Sequence, residues 1–325
     1  MHSPESLLRQ LEDYRSQNPV GVVPAGLYDP AEYIMSLGGK RMRPLLLLLS
    51  YGLFRDDFER AMPAALGVEV LHNFTLVHDD IMDNANVRRG HPAVHKKYGT
   101  DTAILSGDVM MIRSFDLILH SCSDENAASV LQLALDTSRE ICEGQQMDME
   151  FEEREEVSVS EYLEMIRLKT AVLLSACLQT GAMLAGAENA VSYELYQAGL
   201  LFGKAFQIQD DLLDAFGKTE KTGKKRGGDI VNSKKTFLYT MVLERLPVLR
   251  REAFIEMYNQ SASNPEVKIQ KVLRVFEEFN IAGDTRAEVE RVYHAGVAKV
   301  ESIGVDGVRM LPLLDLAGKL KGRNL

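Results

Sequence analysis

Apolar side chains recur at three- and four-residue steps over long stretches of the chain, the period of helices buried along one face. Between Ala64 and Met82, the positions Leu66, Val70, Leu71, Phe74, Val77, His78 and Ile81 follow this spacing, and Val130–Cys142 and Ala171–Leu184 repeat it. No proline falls between Pro92 and Pro247. Proline breaks helix interiors, so that interval is free to be a run of helices. Alternating Val, Ile and Thr segments joined by Asn-Gly or Asp-Gly turns do not occur, and no strands are predicted. Helix breaks are expected at Gly38-Gly39, at Arg89-Gly90-His91-Pro92, over Lys218–Gly228 and over Ser261–Pro265. None is long or low enough in complexity to be an interdomain linker. The pattern predicts one all-α domain of ten or more helices over residues 1–325. The acidic run Glu150–Glu156 reads as a solvated helix end.

Composition removes several classes. The 325 residues carry 37 basic and 47 acidic side chains, a formal charge of −10, where a nucleic-acid binder would show a basic surplus. With 46 % hydrophobic and 26 % charged residues the chain has a globular rather than a disordered balance. Cys122, Cys142 and Cys177 are too few, and odd in number, for a disulfide framework. They are expected to be packing residues in a reducing, cytoplasmic setting. Met1–Gln17 carries Glu5, Arg9, Glu12, Asp13 and Arg15 and has no apolar signal core. The longest apolar run, Leu45–Leu49, is far too short to cross a bilayer.

Candidate chemistry lies in a repeated pattern. Asp79-Asp80-Ile81-Met82-Asp83 and Asp210-Asp211-Leu212-Leu213-Asp214 have the same D-D-x-x-D spacing, each after an apolar helical stretch. Residues four apart on a helix share a face, so Asp79 projects with Asp83 and Asp210 with Asp214. Like charges about 4 Å apart repel by ~4 kcal/mol at an effective dielectric near 20. One such cluster alone reads best as a wet helix end. Two, both embedded in apolar helices, point to divalent cations, and Mg²⁺ holding waters, a few carboxylates and substrate phosphates fits best. A phosphorylated substrate then needs a few placed cations. Lys40, Arg41 and Arg43 follow Gly38-Gly39 and immediately precede Pro44, combining a glycine loop, a helix start and positive charge. Arg88 and Arg89 follow the first cluster; read alone, they pair with a helix dipole as well as with a ligand. Taken singly, Lys169-Thr170, Lys224-Lys225-Arg226 and Lys234-Lys235 read as solvated faces, and His72 as a satisfied helix histidine.

Read in order, these motifs closely resemble the trans-isoprenyl diphosphate synthases, the farnesyl and geranylgeranyl diphosphate synthase (polyprenyl synthetase) family. The resemblance is carried by Gly38-Gly39-Lys40-Arg41-Met42-Arg43-Pro44, Leu76-Val77-His78-Asp79-Asp80-Ile81-Met82-Asp83 and Arg88-Arg89-Gly90. Gly144-Gln145 with Asp148, Lys169-Thr170 and Phe206-Gln207-Ile208-Gln209-Asp210-Asp211 with Asp214 continue it. It runs from about residue 20 to beyond 300.

The resemblance implies the isoprenoid synthase fold, an all-α bundle around a deep central cavity, in a homodimer. It implies Mg²⁺-dependent condensation of isopentenyl diphosphate with an allylic diphosphate (dimethylallyl, geranyl or farnesyl). Of the catalytic aspartates Asp79, Asp80, Asp83, Asp210, Asp211 and Asp214, it assigns Asp79 and Asp83 to two Mg²⁺ and Asp210, with Asp214, to a third. Arg88, Lys169, Thr170, Gln207, Lys234 and either Lys225 or Lys224 would contact the allylic diphosphate. Lys40, Arg43, His72 and Arg89 would hold isopentenyl diphosphate. Phe74, with the small Thr75 beside it, would form the chain-length floor and favour geranylgeranyl over farnesyl diphosphate. No nucleic acid and no membrane span enter this picture. The alternatives are a class I terpene cyclase, a helical metal-dependent phosphohydrolase suggested by His78-Asp79, and a catalytically silent partner subunit.

Overall fold

Helices form where the three- and four-residue spacing places them, and the computed structural model describes residues 2–217, 226–260 and 264–321. Two compact units divide the chain: Met1–Thr137, Ala176–Tyr196 and Ile303–Leu316 in one, Ser138–Ser175, Gln197–Ser302 and Ala317–Leu325 in the other.

The first unit contains α1 (Pro4–Gln17), α2 (Ala25–Ser36), α3 (Met42–Tyr51), a 3₁₀ turn (Phe58–Arg60), α4 (Met62–Met82), α5 (Val94–Tyr98) and α6 (Thr100–Leu119). Ser3 starts α1 by accepting from the Ser6 amide at 3.2 Å, with Pro4 at the first helical position. In α3 every residue of Leu45–Leu49 is buried, which is why its apolar positions run without a break instead of forming a stripe. Between α4 and α5 lies a hairpin of β1 (Val87–Arg88) and β2 (His91–Pro92), pairing Val87 with Pro92 and Arg88 with His91. This corrects the strand-free expectation. Arg89 and Gly90 both have positive φ, 53° and 81°, the geometry of a tight hairpin turn, and Arg-Gly is not the Asn-Gly signal that announces one.

The second unit contains α8 (Val159–Ile166), a π-helical turn (Arg167–Ala171), α11 (Gly228–Val231), α12 (Phe237–Arg245), α13 (Val248–Asn259), α14 (Pro265–Glu278) and α15 (Ile281–Glu301). A reciprocal capping box between Ser158 and Glu161 opens α8. The unit's core packs Tyr239 against Tyr258, tilted by 40° at 4.4 Å between ring centroids, with Phe254, Phe276, Ile208 and Leu212 in the same cluster. Four further helices, α7 (Ala127–Glu153), α9 (Val172–Leu184), α10 (Asn189–Phe216) and α16 (Gly307–Lys321), contribute residues to both units.

The acidic run is exposed from Glu152 to Glu156, as a helix end should be. Cys177 is buried and Cys122 half-buried, but Cys142 is exposed, so packing does not describe it. Among the described residues no helix is long and apolar enough to cross a membrane.

Candidate active site

The last turn of α4 carries the first aspartate cluster. Asp79 is half-buried and Asp83, at the helix C-cap, is exposed, one turn apart on one side. Asp80 differs from both: it is 0 % exposed and turned into the protein. Arg88, on β1, donates to it through Nε at 3.0 Å and Nη2 at 2.5 Å. Such a forked, charge-assisted pair fixes both side chains. Two carboxylates of the cluster therefore remain outward, and the third clamps an arginine.

The Gly38–Arg43 segment sorts its cations in the same way. Arg41 has φ 47° and is only 7 % exposed. Its guanidinium donates to Glu12 on α1 at 3.0 Å, to Glu69 on α4 at 2.6 Å and to the Met35 carbonyl on α2 at 2.7 Å. It is a tie between three helices. Lys40 is exposed. Arg43 Nη1 lies 3.0 Å from His72 Nε2. Because arginine only donates, that nitrogen accepts and the imidazole is neutral with its proton on Nδ1. Burial first, and then Arg43, Arg89 and Arg88, hold the His72 pKa well below its ordinary value. Arg89 donates through Nη1 to the Gly38 carbonyl and, at 3.4 Å, to Asn73 Oδ1. Its guanidinium lies against Gly39, where a Cβ would sit 3.2 Å from Arg89 Cζ, and Gly39 has φ 142°. Arg43, His72 and Arg89 thus belong to one cationic patch linked through α4, with the exposed Lys40 next to Gly39 in the chain.

The second cluster sits near the end of α10. Asp210 and Asp214 are half-buried, and Asp211 is again the inward one, 5 % exposed. Asp211 accepts from Tyr162 OH, from the Phe237 amide at 2.9 Å and from Gln207 Nε2 at 3.1 Å. Burial, and then Asp229, push its pKa up to about 8 against those donors. Gln207 in turn accepts from Thr170 Oγ1 at 3.2 Å. Asp214 Oδ2 accepts from the Asp229 amide at 2.9 Å, at the start of α11.

Lys169 and Thr170 lie on the π-helical turn. Space for that wider turn comes from Gly144 on α7 and Gly203 on α10: a Cβ at Gly144 would be 2.3 Å from the Lys169 nitrogen, and one at Gly203 2.5 Å from Ala171 Cα. Lys169 Nζ pairs with Asp148 at 2.6 Å and Lys234 Nζ with Glu152. Asp148 and Glu152 are one turn apart, so one face of α7 presents a carboxylate to each lysine. Lys224 and Lys225 lie outside the described residues.

Sequence reasoning missed the supporting residues Glu69, Asn73, Tyr162 and Glu152. Glu69 did carry a signal, as a lone charge inside the apolar run Leu66–Leu71. Phe74 is buried with its ring edge-on to His78 at 4.8 Å, and Thr75 Oγ1 donates to the His72 carbonyl at 2.8 Å.

Comparison with known proteins places the chain. The polyprenyl synthetase family profile matches residues 24–276. A geranylgeranyl pyrophosphate synthase of Geoglobus acetivorans is 45 % identical over 224 residues, 68 % of this chain and 69 % of that protein. A geranylfarnesyl diphosphate synthase of Natronomonas pharaonis is 40 % identical over 232 residues, 66 % of this chain and 68 % of that protein. The crystal structure of a geranylgeranyl pyrophosphate synthase matches with a TM-score of 0.94 at 38 % identity and covers 100 % of both chains. The chain belongs to the polyprenyl synthetase family, an all-α class of prenyltransferases that elongate isoprenoid diphosphates.

Proposed function

We propose that the chain, read as a single polyprenyl synthetase domain, condenses isopentenyl diphosphate head-to-tail with an allylic diphosphate to give geranylgeranyl diphosphate. The observation that carries this reading is the shared division of labour in the two aspartate clusters. In each, the first and last carboxylates are the more accessible pair, Asp214 also accepting from the Asp229 amide, and the middle one is buried in internal bonds. Among the described residues no three His, Cys, Asp or Glu side chains converge to hold a metal alone. Two outward carboxylates per cluster suit Mg²⁺, which keeps waters and takes its remaining oxygens from substrate phosphates. Asp79 and Asp83 hold two ions and Asp210 with Asp214 a third.

Mg²⁺ bound there supplies positive charge to the diphosphate as it leaves. Lys169, Lys234 and Arg88 add fixed cations to the same leaving group, and Thr170 and Gln207 donate to its oxygens. Lys40, Arg43 and Arg89 grip the isopentenyl diphosphate, while the neutral His72 holds the Arg43 guanidinium in line. The allylic C–O bond breaks to a cation and diphosphate. The isopentenyl double bond attacks that cation, and the released diphosphate takes the proton. No protein nucleophile is used.

Thr75 supports the C20 product. At about 100° per residue along α4 it lies about 40° from Asp79, against about 140° for Phe74, so a small side chain stands on the side of the metal-binding aspartates. On α6, the exposed Leu105, Ile112 and Leu119 recur every seven residues, the seam expected of a homodimer. The composition suits a cytoplasmic enzyme.

Turnover of labelled isopentenyl diphosphate with geranyl or farnesyl diphosphate, followed by mass spectrometry, tests the whole reading. A C20 product, lost in EDTA and restored by Mg²⁺, is expected, with shorter products from Thr75→Phe. Full activity in EDTA, or cyclised products, would refute it.

A further inference from the structure

The cationic patch of the first unit is built on a line of hydrogen bonds that the reaction itself does not touch. Asn73 is fully buried in α4. Its Nδ2 donates both protons backward, to the Glu69 carbonyl at 2.8 Å and to Glu69 Oε1 at 3.0 Å. Glu69, 3 % exposed, already accepts from Arg41 at 2.6 Å through the same Oε1, and because arginine only donates, that oxygen faces Asn73 as an acceptor. The orientation of the carboxamide is therefore forced. Nδ2 must face Glu69, and Oδ1 must face forward, where Arg89 Nη1 meets it at 3.4 Å. The same Arg89 nitrogen donates to the Gly38 carbonyl.

We propose that Asn73 is a positioning residue for isopentenyl diphosphate: polarised by the buried Arg41–Glu69 pair, it sets the Arg89 guanidinium in the isopentenyl site. This rests on the assignment of Arg89 to that substrate. Arg89 has φ 53° and lies against Gly39, so its backbone and one flat side are already constrained. Asn73 supplies the remaining constraint, the direction in which the fork points. The three N–H groups of the fork that bond to neither Gly38 nor Asn73 then remain directed to a diphosphate.

The test is a double-mutant cycle read as KM for each substrate separately. Asn73→Ala should raise KM for isopentenyl diphosphate about ten-fold and leave KM for geranyl diphosphate unchanged, the effect of one hydrogen bond to a charged group. Asn73→Leu keeps the size but offers Arg89 no oxygen, and should give the same selective loss if the alanine variant fails to fold. Added to Arg89→Ala, either change should cost nothing further in isopentenyl KM, because Asn73 acts only through Arg89. Equal rises in both KM values, or additive losses in the double variant, would overturn the proposal. If Arg89→Ala alone leaves isopentenyl KM unchanged, the site assignment falls first, and the cycle separates that result from a failure of Asn73.

Discussion

Within each aspartate motif, three identical side chains have two different physical fates. Asp79 and Asp83 face outward and repel each other, whereas Asp80 is buried against Arg88. Asp79→Ala or Asp210→Ala should lower kcat by orders of magnitude and leave thermal stability unchanged or slightly raised. Asp80→Ala should instead cost about 1–3 kcal/mol of stability, read by urea unfolding, and raise KM for the allylic diphosphate by freeing Arg88. His72 gives a pH signature. Its folded pKa is depressed well below 6.5, so the unfolded chain binds the proton first. Stability is then intact above about pH 6.5 and falls, by up to about 1.4 kcal/mol per pH unit, as pH drops below it. Urea midpoints at about pH 7.5 and 5.5 should differ less in His72→Gln. The two D-D-x-x-D motifs were legible in the sequence because the pattern is local, whereas His72 and the lysines stood out only through the resemblance. Which aspartate turns inward was not legible, because that depends on partners outside the motif, Arg88 for one and Tyr162 and Phe237 for the other.

At the scale of elements, the π-helical turn at Arg167–Ala171 is the least regular part of the candidate site and the most dependent on its neighbours. Gly144→Ala would drive a methyl group to 2.3 Å from the Lys169 nitrogen. It should cost about 1–3 kcal/mol by overpacking and raise KM for the allylic substrate more than for isopentenyl diphosphate, as steady-state kinetics would show. No periodicity argument finds such a turn, since the apolar spacing at Ala171–Leu184 continues through its end as an ordinary helix. The hairpin escaped for a related reason: two-residue strands are too short to show alternation. The long helices, by contrast, announced themselves, and α4 and α9 begin and end within a few residues of the apolar stretches that predicted them.

For the whole molecule, the proposed assembly rests on α6, whose exposed seam should be covered by a second copy. Ile112→Glu, on a residue 64 % exposed, should reduce the mass measured by light scattering to that of one chain, 36.3 kDa. The all-α class was legible from the apolar period and the missing prolines, and the family from the order of its motifs. The division between Arg88 and Arg89 came only with the resemblance, and in the structure it falls at the hairpin. Arg88 and Arg89 are adjacent in the chain, yet one reaches back to Asp80 and the other reaches across to Gly38 and Asn73. Successive residues of a strand point to opposite faces, and the turn begins between them. Under the proposed assignment, the two diphosphates are told apart by the point where a strand gives way to its turn: the last strand residue addresses one ligand and the first turn residue the other. A single residue inserted between Asp83 and Arg88, with the turn held in place, would leave every catalytic side chain present and carry Arg88 out of the strand into the turn, away from Asp80.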